Sequence, residues 1–398
     1  MRRLRLLAMI VTGCLAAALL TGAAGAAGAA AAGPAASRRP AIHHVWVIEL
    51  ENTSFGQAFG HPSADPELAR VLVGKGALLR NYYGIGHDSL DNYIAEISGQ
   101  APNIQTGQDC AYFSRFLQFG GENFDKWTKY GQLSGDGCVY PKYVRNVGSQ
   151  LTAHRLSWKS YNQQMGNQPA RDGTTATSHG PACGHPKLGT IDQTDVTGPA
   201  HDSYATRHNP FVYFQNIIGD QGYCDAHVVT LKPLSSDLAH LATTPAYSWI
   251  TPDTCADGHD TPRCQDGAKG GLNQVDRFLA SWVPRIMASP AYRSGLIFIT
   301  FDESSSDQNA AACCGERDSL GFTDPSHPNV NEPGLYGPGG GRVGAVALSP
   351  FIKPGTRSSV PYNHYSLLKT VERIFGLPLL GDARQPQVRA FGADVFTG

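Results

Sequence analysis

LIFITF, residues 296–301, is followed at once by Asp302-Glu303. A continuous apolar run of this length marks a strand buried on both faces, the kind found inside parallel sheets. Two acidic residues directly after it lie where open parallel sheets bind ligands, outside the carboxyl ends of the strands. VGAVAL, residues 343–348, reads as another such strand. HHVWVIE, residues 43–49, is a third strand, and Glu51-Asn52 follow it. ALLRNYY, residues 77–83, predicts a fourth, followed by Gly84-Ile85-Gly86-His87-Asp88-Ser89. Helical spacing appears over 90–98, over 273–289 with a kink expected at Pro284, and over 364–375, which Gly376 and Pro378 end. Strands alternating with helices predict an α/β fold with a mainly parallel central sheet and helices on both faces.

The rest of the chain bounds the class. It has 398 residues, 41% hydrophobic and 16% charged, with 45 glycines and 26 prolines. That is enough apolar material for a sizeable core, and it excludes a coiled coil, a disordered acidic tail and a multispan membrane protein. Lys+Arg of 32 against Asp+Glu of 33 leaves a net charge of −1, which gives no electrostatic footprint for nucleic acid. Arg2, Arg3 and Arg5, an apolar stretch from Leu6 to Leu20, and an Ala/Gly run predict a signal peptide and leader over residues 1–36. Residues 37–398 are expected to form a single domain, with long irregular insertions in about 100–270. Besides Cys14 there are eight cysteines, an even count that implies disulfides in an exported chain. Cys255–Cys264 is the expected pair, closing a short loop around Asp257 and His259. No CxxC occurs, so zinc-finger spacing is absent.

Three strands that end in hard oxygen donors, together with later histidines, suit a divalent-metal site. Each piece also has a structural reading. Glu51 and Asp302-Glu303 could cap helices, Ser89 could be a plain N-cap, and His364 could merely open a helix. A helix start also presents free N–H groups and a partial positive charge to an anion, which would place Ser89 well for phosphoryl transfer.

Taken together, HVWVIELENTSFGQAFG, NYYGIGHDSLDNYIAEISG, RHNPFVYF, ITPDTCADGHD, LIFITFDE and YNHYSLLKTVERIFGLPLLG resemble the secreted bacterial phosphoesterases that include acid phosphatases and phospholipases C, within the alkaline phosphatase superfamily. The resemblance implies an alkaline-phosphatase-like sheet carrying disulfide-bearing loop insertions. It also implies Glu51, Asn52, Ser89, Asp302 and Glu303 as metal ligands. Ser89 would be the nucleophile, with Asn92 beside the transferred phosphate. His87, His208 and Asp257 would bind substrate, and His259 or His364 would protonate the leaving alcohol. In two-metal relatives Asp257, His259 and His364, with Asp253 a rival, would hold a second ion. The expected cofactor is one or two divalent ions of Mg, Ca, Mn, Zn or Fe. The expected substrate is a small-molecule or lipid-head-group phosphate ester, with no stable membrane insertion and no oligomeric state assigned.

One departure stands out. Where the family reads His-Pro-Ser-x-Pro-Asn, this chain has His87-Asp88-Ser89-Leu90-Asp91-Asn92. Two added carboxylates are expected to repel a phosphate dianion unless a cation offsets them. A phosphomonoesterase is the leading expectation. A phospholipase C-like phosphodiesterase and a non-catalytic binding protein on a degenerate hydrolase scaffold are the alternatives.

Overall fold

The structure is a computed structural model that describes residues 41–60, 63–118, 129–194, 203–259, 264, 266–305, 311–315 and 339–397. The expected signal peptide and leader, residues 1–36, lie outside the described residues.

Ten strands form one sheet, in the order Thr356–Ser358, Ala77–Leu79, Ala345–Leu348, Gly295–Phe301, His44–Leu50, Tyr247–Thr251, Trp158–Asn162, Val228–Thr230, Gly180–Ala182 and Thr175–Thr177. The middle five, from Gly295–Phe301 to Val228–Thr230, are all parallel. Every residue of His44–Leu50, Tyr247–Thr251 and Gly295–Phe301 is buried, so both faces of the sheet centre are covered. His44–Leu50 lies between Tyr247–Thr251 and Gly295–Phe301 in register, with Leu50 beside Phe301. The residues that follow those two strands, Glu51 and Asp302, therefore emerge side by side. The helix Ser89–Ser98 packs on His364–Phe375, and Leu272–Ala288 packs on the turn of helix at Glu67–Leu72.

Several expectations change. The segment 100–270 is not simply insertion: it supplies Trp158–Asn162, Val228–Thr230 and Tyr247–Thr251, three of the five central strands. WKSYN and YSWIT mix polar with apolar residues and VVT is only three residues long, so no continuous apolar run announced them. Ala345–Leu348 is antiparallel to both neighbours. An apolar run reports burial on both faces and carries no information on direction. The strand expected over 77–83 breaks at Arg80-Asn81, and Tyr82–Tyr83 pairs separately with Tyr362–Asn363. The helix expected over 273–289 is present as Leu272–Ala288, with Pro284 inside it. His364–Phe375 ends on Gly376 in the left-handed conformation, φ 66°.

Four disulfides are formed among the described residues: Cys110–Cys138, Cys183–Cys224, the expected Cys255–Cys264, and the adjacent pair Cys313–Cys314.

Asp65 ties two peripheral helices together. Its carboxyl accepts the Leu68 N–H at 2.9 Å and lies against Asp276, which accepts the Glu67 N–H at 2.7 Å. Burial, reinforced by Asp276, pushes the Asp65 pKa up to about 8. A raised folded-state pKa means the folded protein holds a proton that the unfolded chain releases between pH 4 and 8. Stability from this group is full below the unfolded value and lost as pH rises through about 8, at no more than about 1.4 kcal/mol per pH unit. Denaturant midpoints measured from pH 5 to 8 should therefore fall less in Asp65→Asn than in the wild type. Parallel slopes would refute the assignment.

Candidate active site

The carboxyl ends of the two central strands converge on the start of one helix. Glu51 is fully buried. One of its carboxylate oxygens accepts the Ser89 hydroxyl at 2.6 Å, and the other accepts the Tyr93 hydroxyl at 2.5 Å. His208 Nε2 lies 3.2 Å from that second oxygen, and the His208 ring stacks on Tyr93 with centroids 5.5 Å apart and planes 7° from parallel. On its other side, His208 Nδ1 is 3.9 Å from Asp257. The Asp257 carbonyl in turn accepts the Glu51 N–H at 2.8 Å.

The second strand end closes the opposite side. Asp302 accepts the Asn52 N–H at 2.8 Å and the Glu303 N–H at 2.6 Å through one carboxylate oxygen. Glu303 accepts the Asn52 side-chain amide at 2.9 Å and the Asp88 N–H at 3.1 Å, and it is paired with His87 Nδ1. Asn52 sits at φ 35°. Its side-chain oxygen is buried and has no hydrogen-bond partner among the described residues.

Ser89 opens the helix at its first position, and the N-cap is Asp88 at φ 78°. The plain N-cap reading of Ser89 is thereby set aside. Asn92 accepts the N–H groups of Ile85 and Gly86 at 2.6 and 3.1 Å and donates to the carbonyls of Gly86 and Asp88 at 3.0 and 3.2 Å. Its amide is thus spent on stitching the loop that presents Ser89. His364 is fully buried. Its Nε2 donates to the Asp302 carbonyl at 2.5 Å, while Nδ1 lies 2.7 Å from Glu96 and 3.2 Å from the Tyr82 hydroxyl. His259 has an exposed side chain, and its N–H donates to Asp257 at 2.9 Å. Asp253 uses its carboxylate to accept the Cys255 and Ala256 N–H groups at 3.1 Å each.

Electrostatics follow from crowding buried carboxyls. Burial first, then the charges of Asp302, Asp91, Asp88 and Asp109, hold Glu303 well above the usual carboxylate range. Burial raises Asp302 as well, against the lowering effect of the N–H groups of Asn52 and Glu303 that it accepts. Glu49, two residues before Glu51, is raised by burial and by Glu96. Burial would lower His364, but Glu96 and the Asp302 carbonyl outweigh it, and its pKa rises. Asp91 is pushed well up by burial, then by Asp88 and Asp109, which favours its neutral form. The repulsion expected from Asp91 near Ser89 is thereby reduced, while that from Asp88 is not.

Glu51, Asp302, Glu303, the Asn52 amide and the Ser89 hydroxyl form an all-oxygen donor set, the chemistry a hard divalent cation requires. Surplus buried negative charge and the unpartnered Asn52 oxygen both suit such an ion. In this arrangement, no three His, Cys, Asp or Glu side chains among the described residues converge as ligands.

Sequence reasoning missed Tyr93 and Glu96. Both lie on the Ser89 face of one helix, at spacings of four and seven, and that periodicity was the signal available.

A family model described as the phosphoesterase family matches residues 65–378. The chain belongs to the phosphoesterase family. It is 26% identical over 338 residues to a phosphate-repressible acid phosphatase of Penicillium chrysogenum, covering 85% of this chain and 59% of that protein. This chain thus spans less than two thirds of that fungal relative. It is 24% identical over 379 residues to a phosphatidylinositol-3-phosphatase of Mycobacterium tuberculosis, covering 94% of this chain and 90% of that protein. Among solved structures, an alkaline phosphatase superfamily protein from Vibrio parahaemolyticus overlays with a TM-score of 0.42 at 11% identity, covering 89% of this chain and 72% of that one.

Gly84 lets the loop before Ser89 pass close to the acidic turn. A Cβ there would sit 2.5 Å from the Asp302 carbonyl oxygen and 3.2 Å from the Glu303 Cα. Gly74 is helical, and a Cβ there meets nothing within 4 Å. Gly84→Ala should cost about 1–3 kcal/mol in denaturant unfolding, whereas Gly74→Ala should be neutral or stabilising by up to about 1 kcal/mol. Equal effects would contradict the close approach.

Proposed function

We propose that this chain is an exported, metal-dependent phosphomonoesterase that works through a phosphoseryl intermediate on Ser89. The observation that carries the reading is the 2.6 Å bond from Ser89 to the buried Glu51 carboxylate, inside a set of oxygen donors from three separate parts of the chain. Family membership and similarity to proteins named as phosphatases support the reaction class. Disulfides support export, since they persist in oxidising compartments. Among the described residues, no helix is long and apolar enough to cross a membrane.

Glu51, Asn52, Asp302, Glu303 and the Ser89 hydroxyl would hold a divalent cation, which when bound offsets the carboxylates and makes the hydroxyl more acidic. Glu51 accepts the Ser89 proton as the oxygen attacks phosphorus and the ester oxygen departs. Tyr93 fixes Glu51 from its other oxygen; burial, then the charge of Glu51, raises the Tyr93 pKa and keeps its hydroxyl a donor. His87 and His208 flank the phosphate. Asn92 serves it indirectly, by shaping the loop through Asp88. His259, exposed beside Asp257, supplies the proton to the leaving alcohol. Water then cleaves the phosphoserine, releasing phosphate and restoring the hydroxyl. The substrate class is a small-molecule or lipid-head-group phosphate ester.

Ser89→Ala should keep the fold by circular dichroism and lose at least about a thousandfold in kcat on p-nitrophenyl phosphate. Chelation should abolish wild-type turnover, and Mg, Ca, Mn, Zn or Fe should restore it. Full activity in Ser89→Ala sinks the nucleophile assignment. Faster cleavage of the bis ester would favour the phospholipase C-like reading, and no turnover of either ester with any of these metals would favour the binding protein.

A further inference from the structure

We propose that Glu96 is a positioning residue that holds the His364 ring so that it grips the Asp302 carbonyl and sets the Asp302-Glu303 turn. The inference rests on the reading of that turn as part of a cation site.

A carbonyl oxygen only accepts, so the His364 nitrogen 2.5 Å from the Asp302 carbonyl carries a proton. The opposite ring nitrogen lies 2.7 Å from Glu96. Glu96 and His364 are both shut off from solvent, at 1% and 0% exposure, so the ring has no water to satisfy it and is fixed at both ends by protein. On the far side, the Asp302 N–H donates to the Leu50 carbonyl at 2.9 Å. The Asp302 peptide groups are thereby anchored to the central strand through one hydrogen bond and to the helix Ser89–Ser98 through the His364–Glu96 pair. Gly84 leaves no slack there, because even a Cβ would press to 2.5 Å on the same carbonyl oxygen.

The register of the helix gives the arrangement its point. Glu96 lies two turns beyond Ser89 on the same face. One rigid helix therefore presents the hydroxyl at its first turn and, at its third, the carboxylate that fixes the turn opposite. Displacing Glu96 from His364 would let the Asp302 backbone move relative to Ser89. Hydrogen-bonding partners one layer behind metal-binding side chains commonly change affinity or activity 10- to 100-fold when removed.

The test measures Mn2+ binding to the full chain by calorimetry, with no turnover required. Glu96→Gln keeps the shape and removes the charge. Its Mn2+ affinity should fall about 10- to 100-fold. His364→Gln should show a similar loss, and the double variant should bind no more weakly than His364→Gln alone, since Glu96 acts through that ring. Unchanged Mn2+ affinity in Glu96→Gln, or losses that simply add, would overturn the proposal. Should Glu96→Gln not fold, Glu96→Asp retains the charge with a shorter reach. It should weaken Mn2+ binding, and wild-type affinity in it would overturn the proposal equally. A wild-type chain that binds no divalent ion overturns the cation-site reading and this inference with it. A wild type that binds Mn2+, beside a Glu96→Gln that binds as tightly, overturns the inference alone.

Discussion

Buried negative charge is the constraint on which the rest of the site depends. Glu51, Asp302 and Glu303 are withdrawn from water at the ends of two adjacent strands, where burial makes Asp302 and Glu303 costly to ionise and the Asp302 charge adds to the cost at Glu303. A fold does not assemble such a group unless something satisfies it. Part of the satisfaction is internal. Backbone N–H groups of Asn52, Glu303 and Asp88, the Asn52 amide, the hydroxyls of Ser89 and Tyr93, and the rings of His87 and His208 all point inward at those oxygens. What this network leaves is surplus charge and an unpartnered amide oxygen, and a cation meets both needs at once.

The parallel register makes this geometry available. Because Leu50 and Phe301 are neighbours, the residues after them leave the sheet together, and one acidic residue from each strand suffices to start a site. The helix Ser89–Ser98 then needs only the right pitch to bring its first and third turns against them. The α-helical period supplies that pitch, and packing on His364–Phe375 holds the helix in place.

These relations explain what could be seen in the sequence. LIFITF and VWVIE are continuous apolar runs, so the central strands and the polar residues following them were legible. HYSLLKTVERIF combines helical periodicity with a glycine stop, and its bounds came out as expected. The central strands at 158–162, 228–230 and 247–251 were not legible, because strands this short, with neither a continuous apolar run nor a regular alternation, resemble loop among many turns. The direction of Ala345–Leu348 was hidden because side-chain burial does not depend on which way a neighbouring strand runs. The metal-ligand candidates were visible as strand-end carboxylates. Tyr93 and Glu96 act within the buried stripe of a helix, where a polar residue is indistinguishable in sequence from one that merely completes a packed face.

The pair Asp88 and Asp91 shows how far chemistry depends on backbone. Proline is locked near −65° in φ, whereas Asp88 stands at +78°. The present path from His87 to Ser89 is therefore closed to a proline, and the difference from the family pattern reaches the main chain itself. That path turns the Asp88 N–H onto Glu303, giving the acidic turn a hydrogen bond that proline, having no N–H, could not supply. Asp91, buried beneath Gly86 and favoured in its neutral form, fills space under the loop and adds little charge. A pair of substitutions that looks, as letters, like added repulsion thus works in opposite ways at its two positions. One aspartate contributes a backbone donor to the site, and the other withdraws its charge by burial. Ser89, between them, keeps its place on the helix and its bond to Glu51.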